Sequence, residues 1–237
     1  MTVKEVFDLR KQGKTEEAYA AIRPMYAVHK GKYTTLCMFW VGSDMLKKRL
    51  TEHRGQEAVK IFEALLRVQR DIDDRDGKVH EAIVNDLLKL GDHVPQYSML
   101  DFIAQYGVAW LKEEDWQTPL FALQADASPT ARRTPPAAMR LLTRCFHEVK
   151  RQPTAEQAVK IMPLLQEVVR RNPLSKSCLR CMAMVYRIMG EKEKAIRTYE
   201  LALTRYHESY LFSELAELTD DPGERAALYC RAIENQR

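Results

Sequence analysis

Residues 179–206 read LRCMAMVYRIMGEKEKAIRTYELALTRY. Leu179, Met182, Ala183 and Tyr186 fall three, four and seven residues apart, which places them on one face of an α-helix. Gly190 interrupts that helix. Ala195, Tyr199 and Ala202 then give a second helix a face of the same kind. The stretch predicts a helix–turn–helix hairpin with small residues where the two helices must approach closely.

The same spacing occurs near the start of the chain. Leu9, Gly13, Ala18, Ile22 and Met25 stand at the separations of Tyr186, Gly190, Ala195, Tyr199 and Ala202. Two distant segments in one register are the sign of an internal repeat. This first hairpin spans Val3–Lys30, with Val6 and Leu9 on its first helix and Thr15 as the expected cap of its second.

The hairpin at 176–207 resembles the tetratricopeptide repeat (TPR). Leu179 stands where that motif usually has Trp, Met182 where it has Leu, and Ala183 at its small-residue position. Tyr186, Gly190, Ala195, Tyr199 and Ala202 take the remaining signature places, and His207 replaces the usual Pro. The resemblance implies an all-α fold: a right-handed superhelix of about six antiparallel helix pairs, whose concave surface is lined mainly by the first helix of each pair. A single hairpin cannot bury both apolar faces, so neighbours must stack.

Four further pairs complete this reading. Tyr33–Ile72 holds a long first helix around Leu36–Leu50 and a second helix carrying Ala58, Phe62 and Leu65, closed by the polar stretch Asp71–Gly77. The third pair runs from about Lys78 to Leu111. It has Ile83, Leu87 and Leu90 on one stripe, Gly91 to Pro95 as the turn, and Leu100 to Trp110 as the partner helix. The fourth, Pro136–Arg171, has a stripe of Met139, Leu142, Cys145, Phe146 and Val149. Its second helix carries Ala158, Met162 and Leu165, with Pro163 expected to kink it. The sixth, Tyr210–Asn235, carries Leu211, Leu215 and Leu218, then Ala226, Tyr229 and Ala232.

Segment 112–136 breaks the pattern with Pro119, Pro129, Pro135 and Pro136. Trp116, Leu120, Phe121 and Leu123 make it too apolar for a free linker, so it is expected to pack back on the helices. The chain is thus read as one domain over 1–237, or as two lobes, 1–111 and 130–237, joined by this segment. No polar capping helix follows the last pair. Either the helix from Glu224 is itself the cap, or the chain is the front part of a longer protein.

Composition agrees with an all-α class. Of 237 residues 46% are hydrophobic, and 9 Gly with 10 Pro leave few tight turns for a β-protein. No run approaches the ~18 apolar residues of a membrane span. The opening residues enter an amphipathic helix rather than a secretory leader. Five cysteines, an odd number, fit a reducing cytoplasm.

Motifs for chemistry are sparse. Cys178-x-x-Cys181 has no second half to complete a zinc site and no strand before it, so both are read as structural cysteines. The six histidines are dispersed. Cys145 and His147, two apart, face different ways on a helix. Glu113, Glu114 and Asp115, like Asp73 and Asp74, are read as solvated loop charge. There is no phosphate loop and no nucleophile elbow, so no catalytic residue, metal or cofactor is assigned and the chain is read as a non-enzyme. Tyr19, Tyr26 and Tyr33 recur at seven-residue spacing and are read as covering seams between repeats.

The net charge of +4 is unevenly spread. Arg132, Arg133, Arg140, Arg144, Lys150 and Arg151 face only Glu148. Arg170, Arg171, Lys176, Arg180 and Arg187 face only Glu167, and the chain turns acidic from Glu208 to Glu224. TPR proteins that hold acidic chaperone tails use a clamp of Lys, Asn and Arg. Here Arg180 takes a clamp-like place, while Met184 stands where Asn is expected, which points to a different peptide. The partner-binding set expected from the sequence is Arg133, Arg140, Arg144, Arg180, Met184 and Arg187. The function expected is an interaction scaffold that holds an acidic peptide or helix of a partner. The alternative is a nucleic-acid-associated accessory arm of a longer bacterial regulatory or defence protein.

Overall fold

The computed structural model describes residues 1–117 and 135–236. Among them are twelve α-helices and no strand. In chain order these are α1 (Val3–Lys11), α2 (Thr15–Val28), α3 (Lys32–Thr51), α4 (Gly55–Gln69), α5 (Lys78–His93), α6 (Met99–Tyr106), α7 (Ala137–Arg151), α8 (Ala155–Arg171), α9 (Lys176–Ile188), α10 (Lys192–Leu203), α11 (Ser209–Ala216) and α12 (Pro222–Glu234). Short 3-10 turns cover Val108–Trp110 and Glu113–Trp116. The described residues form two compact units, one within Met1–Tyr97 and Glu114–Arg140, the other within Ser98–Glu113 and Leu141–Arg237.

One turn occurs three times. Gly13, His53 and Gly190 adopt the left-handed conformation at φ 74°, 58° and 78°. Each donates its N–H to the carbonyl three residues back. The next residue then reaches back five: Lys14 to Leu9 (3.0 Å), Arg54 to Arg49 (2.9 Å) and Glu191 to Tyr186 (2.9 Å). These bonds satisfy carbonyls that the end of a helix leaves without partners. The returning helix enters in one fixed register. Ala18, Ala58 and Ala195 follow the turn at equal distance and are fully buried; so are Ile22, Phe62 and Tyr199 one turn on. Alanine keeps the paired helices close, and the larger residue fills the space behind it.

In the first unit each of α1 to α5 packs on the next, and α1–α3 and α3–α5 also touch. The long helix α3 is its centre, with Cys37, Phe39, Val41 and Leu46 fully buried. In the second unit α9 and α10 form the hairpin read from the sequence. Leu179, Ala183, Tyr199 and Ala202 share one core with Leu211, Phe212, Leu215, Leu228 and Ala232 of α11 and α12. α8 packs on both α6 and α9.

Several expectations are corrected. Thr15 is the first residue of α2 and not its cap; the N-cap is Lys14, which makes no side-chain bond, because the turn is closed by backbone bonds. Gly91 lies inside α5, which runs on to His93. The partner helix of the third pair ends at Tyr106, and its place is taken by Gly107 and a 3-10 turn. α5 belongs to the first unit and α6 to the second, so these two do not form a hairpin within either unit. Ala226 and Tyr229 are exposed, and α12 instead buries Leu228 and Ala232. No left-handed residue precedes α12; it enters through the Asp221 cap and Pro222, which sets a different rotation. Pro163, and Pro24 in α2, sit within helices on exposed faces, where water can satisfy the carbonyls they leave unpaired. Leu120, Phe121 and Leu123 lie outside the described residues, whereas Trp116 is half-buried.

Nothing lies within 4 Å of a Cβ built on Gly13 or Gly190, so substitution there tests backbone conformation alone. Gly190→Ala is expected to lower stability by about 1 kcal/mol, and His53→Gly to raise it by a few tenths to about 1 kcal/mol. Urea unfolding at constant slope checks both; equal stability of all three proteins would remove the turn from this role.

Candidate ligand-binding surface

The sequence-derived binding residues are placed as follows. Arg133 lies outside the described residues. Arg140 and Arg144 are half-buried on α7, one turn apart, and both already have interactions. Arg180, Met184 and Arg187 share one face of α9. Met184 packs against the core of the second unit. Arg180 lies over the ring of Tyr210 at 4.2 Å and donates to both carboxylate oxygens of Glu214, from Nε at 3.0 and 3.1 Å. Arg187 pairs with Glu217 at 2.5 Å.

These contacts belong to a longer series. Lys176 meets Glu208 (2.6 Å) and Lys192 meets Asp220 (2.5 Å). Along the series Lys176, Arg180, Arg187 and Lys192, the partners advance in the same order, so α9 and α11 run in the same direction. Four basic residues of 176–192 and four acidic residues of 208–220 are therefore two sides of one seam. Tyr199 is buried beside Glu214 with its hydroxyl lacking a hydrogen bond, and burial, then Glu214, push the phenol well above its usual range.

Other acidic side chains also have structural work. Glu148 turns from α7 to the start of α6, accepting from Ser98 Oγ (2.8 Å) and the Met99 N–H (2.7 Å), where a carboxylate satisfies free N–H groups and the helix dipole. Asp74 accepts from the N–H groups of Val79 and His80 and so starts α5. Asp115 is buried, 2.7 Å from His80 Nε2. Glu113 holds Arg171 through two bonds of 2.7 and 2.8 Å. Glu167 lies between Arg170 and Arg171, whose bonds bring its carboxyl down to about 2.

In the first unit a charged row crosses three helices. Arg10 of α1 meets Asp44 of α3 at 2.6 Å. Lys47 lies 3.8 Å from Asp44 and 3.9 Å from Asp86 of α5. Ser43 Oγ donates to Asp86 Oδ2 at 2.6 Å, while Oδ1 is buried without a hydrogen bond. Burial raises the Asp86 carboxyl above its usual range, against the opposing Ser43 bond and Lys47 and Lys89 charges. Beyond this row α3 presents Trp40, stacked by Arg10 at 5.6 Å, then Leu36 and Tyr33. Tyr33 is apart from Tyr19 and Tyr26, because α2 ends at Val28. Tyr26 donates to Asp71 at 3.4 Å, and Tyr19 packs near Gly42; both cover seams between helices. Tyr33 is 72% exposed and covers none.

Cys37, Cys145, Cys178 and Cys181 are buried. Burial pushes the Cys37 thiol up to about 11 and Cys178 up to about 12, and Cys178 Sγ donates to the Leu165 carbonyl. The thiolate is the nucleophile and metal ligand, so these side chains are held in their inert form. Among the described residues no three His, Cys, Asp or Glu side chains gather in a metal-binding group, and no helix is long and apolar enough to cross a membrane. No protein-family model and no curated protein sequence matches this chain.

Two outcomes follow. A maleimide reagent is expected to label Cys230, the exposed cysteine, quickly in the folded chain, and the other four only on unfolding. Fast labelling of Cys178 or Cys181 would contradict the buried placement. For Asp86 the folded carboxyl holds its proton to higher pH than the unfolded one, so its contribution to stability falls as pH rises through that range. Relative to Asp86→Asn, the parent protein should lose stability as pH rises above the ordinary carboxylate range. A relative gain would contradict the buried charge.

Proposed function

We propose that the chain is a TPR-like helical-repeat protein, its hairpins stacked as a right-handed superhelix, and that it acts as a non-enzymatic interaction scaffold. It takes a peptide or helix of a partner protein on the concave surface lined by the first helix of each hairpin. The observation that carries this reading is the threefold turn at Gly13, His53 and Gly190 with its fixed register of buried alanines. Hairpins of one geometry stack into an extended surface whose outer residues are free to vary, which suits binding more than catalysis. The surface of α1, α3 and α5, with Trp40 and Tyr33 outward, supports the same reading. A cytoplasmic setting belongs to this proposal and rests on five unpaired cysteines.

The second reading, an accessory to nucleic acid, draws on the basic middle of the chain. Lys176, Arg180, Arg187 and Lys192 each already hold a carboxylate, which reduces the charge available to a polyanion. Affinity capture from source-cell lysate, with and without nuclease and read by mass spectrometry, separates the two. A specific protein partner that survives nuclease is expected. A complex that disappears with nuclease would make nucleic acid the ligand and overturn the scaffold reading.

A further inference from the structure

α3 has 20 residues and α9 has 13, yet each ends two residues before its left-handed turn. The extra length lies at the start of α3 and amounts to about two turns, roughly 10 Å. A groove of about 710 Å³ opens between these turns and α1. Its apolar lining includes Val3, Phe7 and Tyr33. Its rim carries Lys4, Lys11 and Lys32, against the single carboxylate of Asp8, which lies 4.0 Å from Lys11. Lys4 and Lys32 are exposed and hold no carboxylate among the described residues, unlike the cations of the α9 seam. At the end of the groove the His29 ring folds against Gly31, where a Cβ would come within 2.5 Å of Nε2. A second groove on the other side of α3, about 520 Å³, carries Asp73, Asp74 and Asp76 together with Lys32, Arg75 and Lys78, and Arg75 and Lys78 pair with Asp73 and Asp76. Cations thus exceed carboxylates in the first groove and balance them in the second, with Lys32 lining both.

We infer that the groove between α1 and the start of α3 binds a short acidic segment of a partner protein carrying one bulky apolar side chain. The apolar side chain enters between Phe7 and Tyr33, and its flanking carboxylates meet Lys4, Lys11 and Lys32. The groove across α3, where cations and carboxylates balance, offers such a segment no comparable attraction. This site rests on the scaffold reading, but it is separate from the arginines of α7 and α9 and lies outside the length shared by the recurring hairpins.

The test is selection of a random 12-residue peptide display library on the full chain. Enriched peptides are then synthesised and titrated by fluorescence anisotropy against the parent, Tyr33→Asp, and Lys4→Glu with Lys32→Glu. All three positions are exposed, and matching melting temperatures confirm that the variants fold. Enriched peptides should be acidic with an aromatic or large aliphatic residue, bind more weakly as salt rises, and lose about tenfold or more in each variant. Basic peptides, or acidic ones that bind the variants undiminished, would overturn this site while leaving the scaffold reading in place. No enrichment would count against both. A concentration-dependent dimer abolished by Tyr33→Asp would make a second copy the occupant and overturn the partner assignment.

Discussion

The left-handed residue that closes a hairpin is the constraint on which the rest depends. An L-residue in that conformation costs about 1 kcal/mol, and glycine avoids most of it. In return the chain reverses in very few residues, and the next helix starts at a set rotation. That rotation decides that Ala18, Ala58 and Ala195 face the partner helix, and therefore which side chains face outward. His53 shows that the geometry is imposed by packing and not by glycine alone, since the turn keeps φ 58° with a full side chain. Where the turn is missing, before α12, the buried face changes as well.

Charge is arranged by the same stacking. Helices α9 and α11 run in one direction, so a basic row and an acidic row separated by about thirty residues meet side by side. Arg180 is held by Glu214 on one side and by the Tyr210 ring on another, which leaves little of its guanidinium for a ligand. A partly exposed pair of this kind adds modest stability but fixes the register of neighbouring helices. In the first unit the equivalent row runs Arg10, Asp44, Lys47, Asp86, and ends on a buried carboxylate with one oxygen lacking a hydrogen bond. An apolar surface also remains at the start of α3, where the helix exceeds the hairpin length.

Much of the helical layout was legible because two signals are local. Glycine at a break and apolar residues at helical spacing located α1, α2, α9 and α10 and the faces they bury. The hairpin of α3 and α4 was found from Ala58, Phe62 and Leu65, but its turn was not, because His53 gives no sign of a left-handed backbone. Gly91 misled for the opposite reason: a glycine inside a well-packed helix costs little beside the burial of Leu87, Leu88 and Leu90 around it. The charged rows were visible as composition, yet their pairing depends on which helices become neighbours, and that is a tertiary fact. Asp74 and Asp115 were read as solvated for the same reason, since their partners lie elsewhere on the chain or depend on where a helix starts. Tyr33 was grouped with Tyr19 and Tyr26 by spacing, and only the break after Val28 separates it.

The central claim is that three hairpins share one closed turn. Native-state hydrogen exchange of the Lys14, Arg54 and Glu191 amides tests it most directly. Each of these N–H groups donates to a carbonyl five residues earlier, at 2.9 to 3.0 Å, in stretches that would otherwise read as loop. Protection of all three at the level of the adjoining helix interiors is the predicted result. Exchange of the Arg54 amide at the rate of an open loop, with the other two protected, would contradict the claim that His53 closes the same turn as Gly13 and Gly190.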